Sequence, residues 1–205
     1  MSAQHSASML LPHDSSWRQE LERLRGAVVL ANQLQGVQVI LICGARTDDG
    51  ATSVAVHLAL TLAEMDRTPV ALADVSQSQP TVERLLTGAL PGRYLKEVLP
   101  HGSSVGVVQT QVRNLYLVAS AHGDTSLTAL LQPMDLLRRL RERFKYVILS
   151  APPVIVHPDT TLLATKADGV MLIAQADKSR LDELEAAKAE FDRAGANILG
   201  VVLSR

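Results

Sequence analysis

The stretch Cys43–Ser53, CGARTDDGATS, carries residues whose types and spacing could hold a phosphate. It lies where an apolar strand is expected to hand over to a helix. The usual phosphate loop reads G-x-x-x-x-G-K-[ST]. Its backbone N–H groups form an anion cradle, the helix N-terminus adds its dipole, the lysine reaches the β- and γ-phosphates, and the hydroxyl holds Mg²⁺. Here Gly50 and Thr52 fill two of those places. Ala45 stands at the first glycine, with Gly44 one step earlier, and Ala51 replaces the lysine. Asp48 and Asp49 add negative charge beside the expected phosphates. A unit charge pair at about 4 Å is worth roughly 4 kcal/mol at an effective dielectric of 20, so a lost cation facing carboxylates is enough to decide binding. Arg46 is the cation near enough to stand in. Gly44, Arg46, Asp49, Gly50, Ala51, Thr52 and Ser53 are therefore the candidate nucleotide contacts, and Thr52 a candidate Mg²⁺ ligand. Alone, the pattern equally describes an ordinary glycine-containing strand-to-helix turn.

The elements that would position this loop follow from periodicity. Trp17, Leu21, Leu24, Val28 and Ala31 form an apolar helical stripe, with Asp14, Ser15 or Ser16 as its cap. Val37–Cys43 reads as a strand, and Thr52–Met65 as a helix with Val54, Ala55, Leu58, Ala59, Leu62 and Met65 on one face. Pro69–Asp74 is a second strand ending in an acid. Thr81–Leu86 and Tyr94–Leu99 read as short helices, and Leu115–Ala119 as a strand. Pro133 opens a helix with Leu136, Leu137, Leu140 and Phe144 inside and Arg138, Arg139, Arg141 and Arg143 mostly outside. Three more strands are Tyr146–Leu149, Val170–Gln175 and Ile198–Leu203. The last two are separated by a helix starting at Ser179, where Ser179 and Asp182 suggest a capping box. Apolar strands alternating with amphipathic helices predict an α/β fold, a mostly parallel sheet covered on both faces. Ligands in such sheets bind beyond the carboxyl ends of the strands, which is where the loop falls. Residues 1–14 lack a period and read as a flexible arm, and 15–205 as one domain.

Composition narrows the function. The 205 residues are 47% hydrophobic and 20% charged, with 20 Lys+Arg against 21 Asp+Glu. That balance gives no bulk attraction to nucleic acid. The single cysteine, Cys43, excludes an intrachain disulfide and fits a reducing cytoplasm. At this position it is expected to be a small buried hydrophobe. The six histidines show no metal-ligand spacing, and the arginines before Phe144 are expected to form a solvated face. The start of the chain lacks the pattern of a signal peptide, and no apolar run approaches the ~18 residues that span a bilayer. Membrane attachment would come through a partner.

The order of elements over residues 14–205 resembles the bacterial tyrosine kinase (BY-kinase) family, P-loop proteins of capsule and exopolysaccharide export related to the MinD/ParA ATPases. The family loop is similar to S-A-x-P-G-E-G-K-[ST]; GARTDDGATS has its length, with Asp49 for Glu, Asp48 for Gly and Ala51 for Lys. The family's L-L-I-D-A-D-x-R-x-P resembles ALADVSQSQP, matched at Asp74 and Pro80, with Ser76 at the second Asp and Ser78 at the Arg. Its F-D-Y-V-I-I-D-T-P-P resembles FKYVILSAPPV, where Phe144, Tyr146, Pro152 and Pro153 match and Ser150 replaces the catalytic, metal-organising Asp. DGVMLIAQADKSR and LGVVLSR resemble two further family segments.

The resemblance implies a P-loop NTPase-like fold, ATP or ADP with Mg²⁺ as cofactors bound weakly at best, and Asp74 as second metal ligand and catalytic acid if any activity survives. Phosphoryl transfer needs the lysine, the metal and the acids that place both, so the replacements at three motifs imply lost turnover. The sequence ends at Arg205, directly after the last expected strand, so the likeness does not extend to the family's tyrosine-rich tail. In the family's E-x-x-R-x-x-R ring-pairing helix, Gln19, Glu22 and Arg25 hold the aligned places. The reading is a degenerate BY-kinase-like protein with a regulatory or scaffolding role in bacterial exopolysaccharide production. Its expected partner is a membrane co-polymerase or chain-length protein. It would be cytoplasmic, at the inner face of the membrane through that partner, and able to form a homo-oligomer by another pairing. The alternatives are an active kinase or ATPase using Arg46 and Asp74, and a MinD/ParA-type positioning ATPase whose signature lysine would fall at Arg46.

Overall fold

The structure, a computed structural model, describes residues 15–75, 82, 86, 97–98, 105–120 and 134–204. The arm 1–14, Pro133 and most of Thr81–Leu86 lie outside them.

Strand β1 (Val39–Gly44) is fully buried, as is β6 (Tyr146–Ala151). With β2 (Val70–Asp74), β5 (Leu115–Ser120), β7 (Gly169–Gln175) and β8 (Ile198–Ser204) they run parallel. β4 (Val105–Gln109) and β3 (Glu97–Val98) extend one edge in antiparallel fashion. The order across the eight-stranded sheet is β3-β4-β5-β2-β6-β1-β7-β8. Because side chains alternate along a strand, β1 sends Ile40 and Ile42 to one face and Val39, Leu41 and Cys43 to the other.

Helices α1 (Ser15–Gln35) and α2 (Ala51–Ala63) cover the first face. Helices α3 (Met134–Arg143), α4 (Asp159–Ala164) and α5 (Leu181–Arg193) contribute Leu137, Leu140, Leu163, Ala187 and Phe191 to the second. The expected α/β architecture is therefore the one formed. No helix among the described residues is long and apolar enough to cross a membrane.

The apolar stripe of α1 packs as its spacing predicts: Leu21 and Val28 are buried, and Trp17, Leu24 and Ala31 are partly buried against the same core. Arg25 donates to Thr61 O at 3.3 Å and lies 3.8 Å from Glu64, which also meets Arg18 at 3.6 Å. The residue aligned with the ring-pairing motif thus clamps α1 to α2 within one chain.

Four readings change. Tyr94–Leu99 is not all helical, since Glu97–Val98 pairs with β4, whose edge supplies backbone partners that periodicity does not reveal. β4 itself, glycine-containing and short, and α4, only six residues long, carried too little pattern to be predicted. Arg141 is not on a solvated face. It donates to Asp168 at 2.6 and 2.8 Å, while the same carboxylate accepts from the backbone N–H groups of Gln38 (2.8 Å) and Val39 (2.7 Å). This ties α3 to the amino ends of β1 and β7. Finally, α5 starts at Leu181 rather than Ser179, and Glu183 accepts from the N–H of Arg180 at 3.2 Å in place of the expected Ser179–Asp182 pair.

Candidate functional site

The loop leaves β1 at Gly44 and enters α2 at Ala51, at the carboxyl end of the parallel strands. Gly44 has no room for a side chain: a Cβ there would lie 2.4 Å from Arg46 O and 3.0 Å from Asp49 Cβ. Gly50 caps α2 with φ 76°, a left-handed conformation that favours glycine. These two glycines permit the tight bend that sequence pattern suggested.

Gly44, Arg46, Gly50, Ala51, Thr52 and Ser53 come together around a cavity of about 150 Å³, joined by Asp48 and by Ala151 and Pro153 from the end of β6. Asp49 and Asp74 do not line it. Asp49 is only 2% exposed and turns inward. Its Oδ2 accepts from the N–H of Arg46 at 2.7 Å and its Oδ1 from the hydroxyl of Ser179 at 2.6 Å. Its carbonyl accepts from Ser204 Oγ at 3.2 Å. This carboxylate is a strut inside the loop rather than a charge facing a phosphate. Ser179, displaced from capping α5, supplies the brace. Asp48 is exposed and remains the acid at the cavity.

Arg46 lines the cavity, and its guanidinium reaches Glu183 Oε1 at 3.2 Å at the start of α5. Ser53 Oγ lies 3.3 Å from Nδ1 of His57, one turn along α2. Burial pushes the His57 imidazole below its ordinary value, against the opposing pull of its contact with Ser53. Cys43, just before the loop, is fully buried, and burial pushes its thiol up to about 12. It is an inert hydrophobe, as its position suggested.

At the floor, Ser150 Oγ donates to Thr52 Oγ1 at 3.1 Å, both groups buried. Ser150 and Asp74 sit at paired register positions on adjacent strands. One Asp74 oxygen accepts from the N–H of Val82 at 3.1 Å. A Mg²⁺ ion wants carboxylates and phosphates in octahedral array. Here a neutral hydroxyl pair occupies the place where an acid would face the loop threonine. Among the described residues no three of His, Cys, Asp and Glu gather as a metal site. The cavity also falls below the roughly 300 Å³ of ordinary small-molecule pockets. Its volume matches a phosphate group, and among the described residues its lining offers Arg46 as a cation and Asp48 as an acid, with no lysine.

Sequence reasoning missed Ser179, Ser204 and Glu183 as parts of the loop's support. Only their approach through the fold, from more than a hundred residues away, reveals them.

A parallel sheet of this order, with a glycine loop between β1 and the helix beneath it, defines a P-loop NTPase-like fold. No family model matches the chain. It is 27% identical over 202 residues to a tyrosine-protein kinase, CpsD, of Streptococcus agalactiae, covering 94% of this chain and 87% of the relative. It is 25% identical to a tyrosine-protein kinase, ptk, of Acinetobacter johnsonii, across 91% of this chain but 26% of that longer protein. Among solved structures, the kinase domain of the Escherichia coli tyrosine kinase ETK superposes with TM-score 0.79 at 17% identity, covering 100% of this chain and 81% of that one. A ParA family ATPase from Chlorobium tepidum gives 0.59 at 15% identity, covering 82% and 74%. Over nearly its whole length the chain is similar to bacterial tyrosine-protein kinases, and its fold is that of their P-loop domains.

Proposed function

We propose that this chain is a degenerate member of the bacterial tyrosine kinase family, a regulatory or scaffolding protein of bacterial exopolysaccharide or capsule production rather than a working kinase. The observation that carries the reading is the loop floor. Ala51 leaves the cradle without its lysine, and Ser150, bonded to Thr52, stands where a metal-organising acid belongs. Phosphoryl transfer depends on positioning and electrostatic stabilisation by those groups. In this reading the chain retains the scaffold as a binding surface. Its partner is a membrane co-polymerase or chain-length protein, which holds it at the cytoplasmic face. A second reading has some support from Arg46 at the cavity: an ATPase or tyrosine kinase in which Arg46 leaves Glu183 for a phosphate and Asp74 organises the metal. A positioning ATPase of the MinD/ParA type would use Arg46 in the same place.

Calorimetric titration with ATP and Mg²⁺, paired with a phosphate-release assay, separates these readings. Weak or undetectable binding and no hydrolysis above background are expected. A low-micromolar Kd with measurable turnover, lost in Asp74→Ala, would overturn the proposal.

A further inference from the structure

We propose that β8 is a homotypic docking edge, through which two copies of this chain join their sheets about a two-fold axis at Val202. Among the described residues β8 is the outermost strand on its side of the sheet and pairs only with β7. Open edges are normally blunted by charge, proline or shortness. β8 runs seven residues, ILGVVLS, with no charged residue and no proline. One protective feature is present, a register shift near Gly200, but it lies toward the amino end and leaves Gly200–Ser204 in regular register with β7.

The backbone sets the pairing. Ser204 O accepts from the N–H of Ala176, so the backbone of Ser204 faces β7. Direction alternates along a strand. The N–H and C=O of Leu203 and Val201 therefore face the open edge, while those of Val202 face β7. A second β8, antiparallel and centred on Val202, sets Val201 opposite Leu203 of the copy. Each of these outward groups then gains a partner, and Val202 meets its own copy in a non-hydrogen-bonded pair.

The side chains select the same register. Val201 is 57% and Leu203 68% exposed, an apolar pair two residues apart on the face opposite Val202. Centred on Val202, the pair covers its own copy, Val201 against Leu203 and Leu203 against Val201. A shift of one residue leaves one of them uncovered. Because the strand is uncharged, the two-fold brings no like charges together. Beside it, Trp17, Leu21, Leu24, Val54 and Val202 line a groove of about 800 Å³ between α1 and the edge, rimmed by one acid, Glu20, and one base, Arg23. So short a ladder buries on the order of 1,000 Å², the range of weak or transient assemblies. The copy is the occupant that matches this edge in length, neutrality and side-chain spacing; a different strand-forming segment is the competing outcome.

The test is sedimentation equilibrium of the full chain from about 10 to 500 μM. A monomer–dimer equilibrium is expected, with the dimer lost in Leu203→Lys while the melting temperature stays unchanged, since Leu203 is exposed in the monomer. The register is tested by oxidative cross-linking, with buried Cys43 as the background thiol. Val202→Cys should form a disulfide dimer, because Val202 faces its own copy, and Leu203→Cys should not. A chain that stays monomeric throughout, a dimer that survives Leu203→Lys, or cross-linking at 203 in preference to 202 would each overturn the proposal.

Discussion

Ala51→Lys returns a cation to the first turn of α2, at the mouth of the cavity. Its worth can be estimated from the site. Ala51 is half-buried, so an effective dielectric near 20 applies, and an ammonium about 4 Å from a phosphate oxygen contributes roughly 4 kcal/mol. Holding the lysine side chain costs about 2 kcal/mol of rotamer entropy. A positive charge at a helix N-terminus costs about 0.3–1 kcal/mol more. The remainder, about 1–2 kcal/mol, predicts roughly a 5–30-fold gain in affinity for ADP or inorganic phosphate. Adding Asp48→Gly should enlarge the gain, because it removes the one carboxylate that lines the cavity among the described residues. Turnover should remain at background, since Ser150 still supplies no charge to a metal. The assay is calorimetric titration of wild type and both variants with ADP and with phosphate, alongside phosphate release from ATP. The gain should shrink as salt rises. If neither variant binds better than wild type, the loop is no longer an anion cradle, and its likeness to one is ancestry alone.

Two further outcomes follow from the loop's bracing and the base of the sheet. Ser179→Ala removes the 2.6 Å donor to the buried Asp49 carboxylate. It should cost about 1–3 kcal/mol, a melting temperature lower by roughly 2–12 °C at this chain length; a change within about 0.5 kcal/mol by denaturant unfolding would show that Asp49 does not depend on it. At Asp168, burial alone would raise the carboxyl, but the Arg141 hydrogen bond, the N–H groups of Val39 and Gln38 and the Arg141 charge outweigh it and hold the group below its ordinary value. A carboxylate depressed in the folded state stabilises above its unfolded pKa and loses that stabilisation as pH falls through the folded one. Asp168→Asn should therefore be clearly destabilising at pH 7, by about 2 kcal/mol, with the gap to wild type closing below about pH 4; a gap independent of pH would assign the loss to packing.

The sheet was legible because burial on both faces leaves an unmistakable trace. VILIC and YVIL are continuous apolar runs, and strands flanked by helices on both sides require them. The stripe of α1 was legible for the equivalent reason at helical spacing. What escaped had no such trace. β3 is two residues long, and its conformation is set by the neighbouring edge rather than by its own side chains. Arg141 lies one helical turn from Arg138, which is exposed, and the placement of Asp168, 27 residues away, turns Arg141 inward.

The site divides along the same line. The bend at Gly44 and Gly50 was legible because the loop is local, and each glycine answers a local steric demand. The role of Asp49 was not local. Beside Asp48 it reads as a second charge set against phosphate, yet the fold brings Ser179 from after β7 and Ser204 from the end of β8 to hold it inside. This changes the electrostatics of the cradle. Among the described residues one of the two carboxylates faces the cavity, and the Arg46 guanidinium is engaged by Glu183 while Asp49 holds the Arg46 backbone N–H. The floor changes in a parallel way. With Ser150 at the acid's place, Thr52 keeps a hydrogen-bond partner, so the loop stays anchored to β6 without the charge a metal would require. In the proposed reading Ala51 and Ser150 leave the site short of charge, while Gly44 and Gly50 still permit the loop's bend, so a single lysine is a sufficient probe of whether the cradle works.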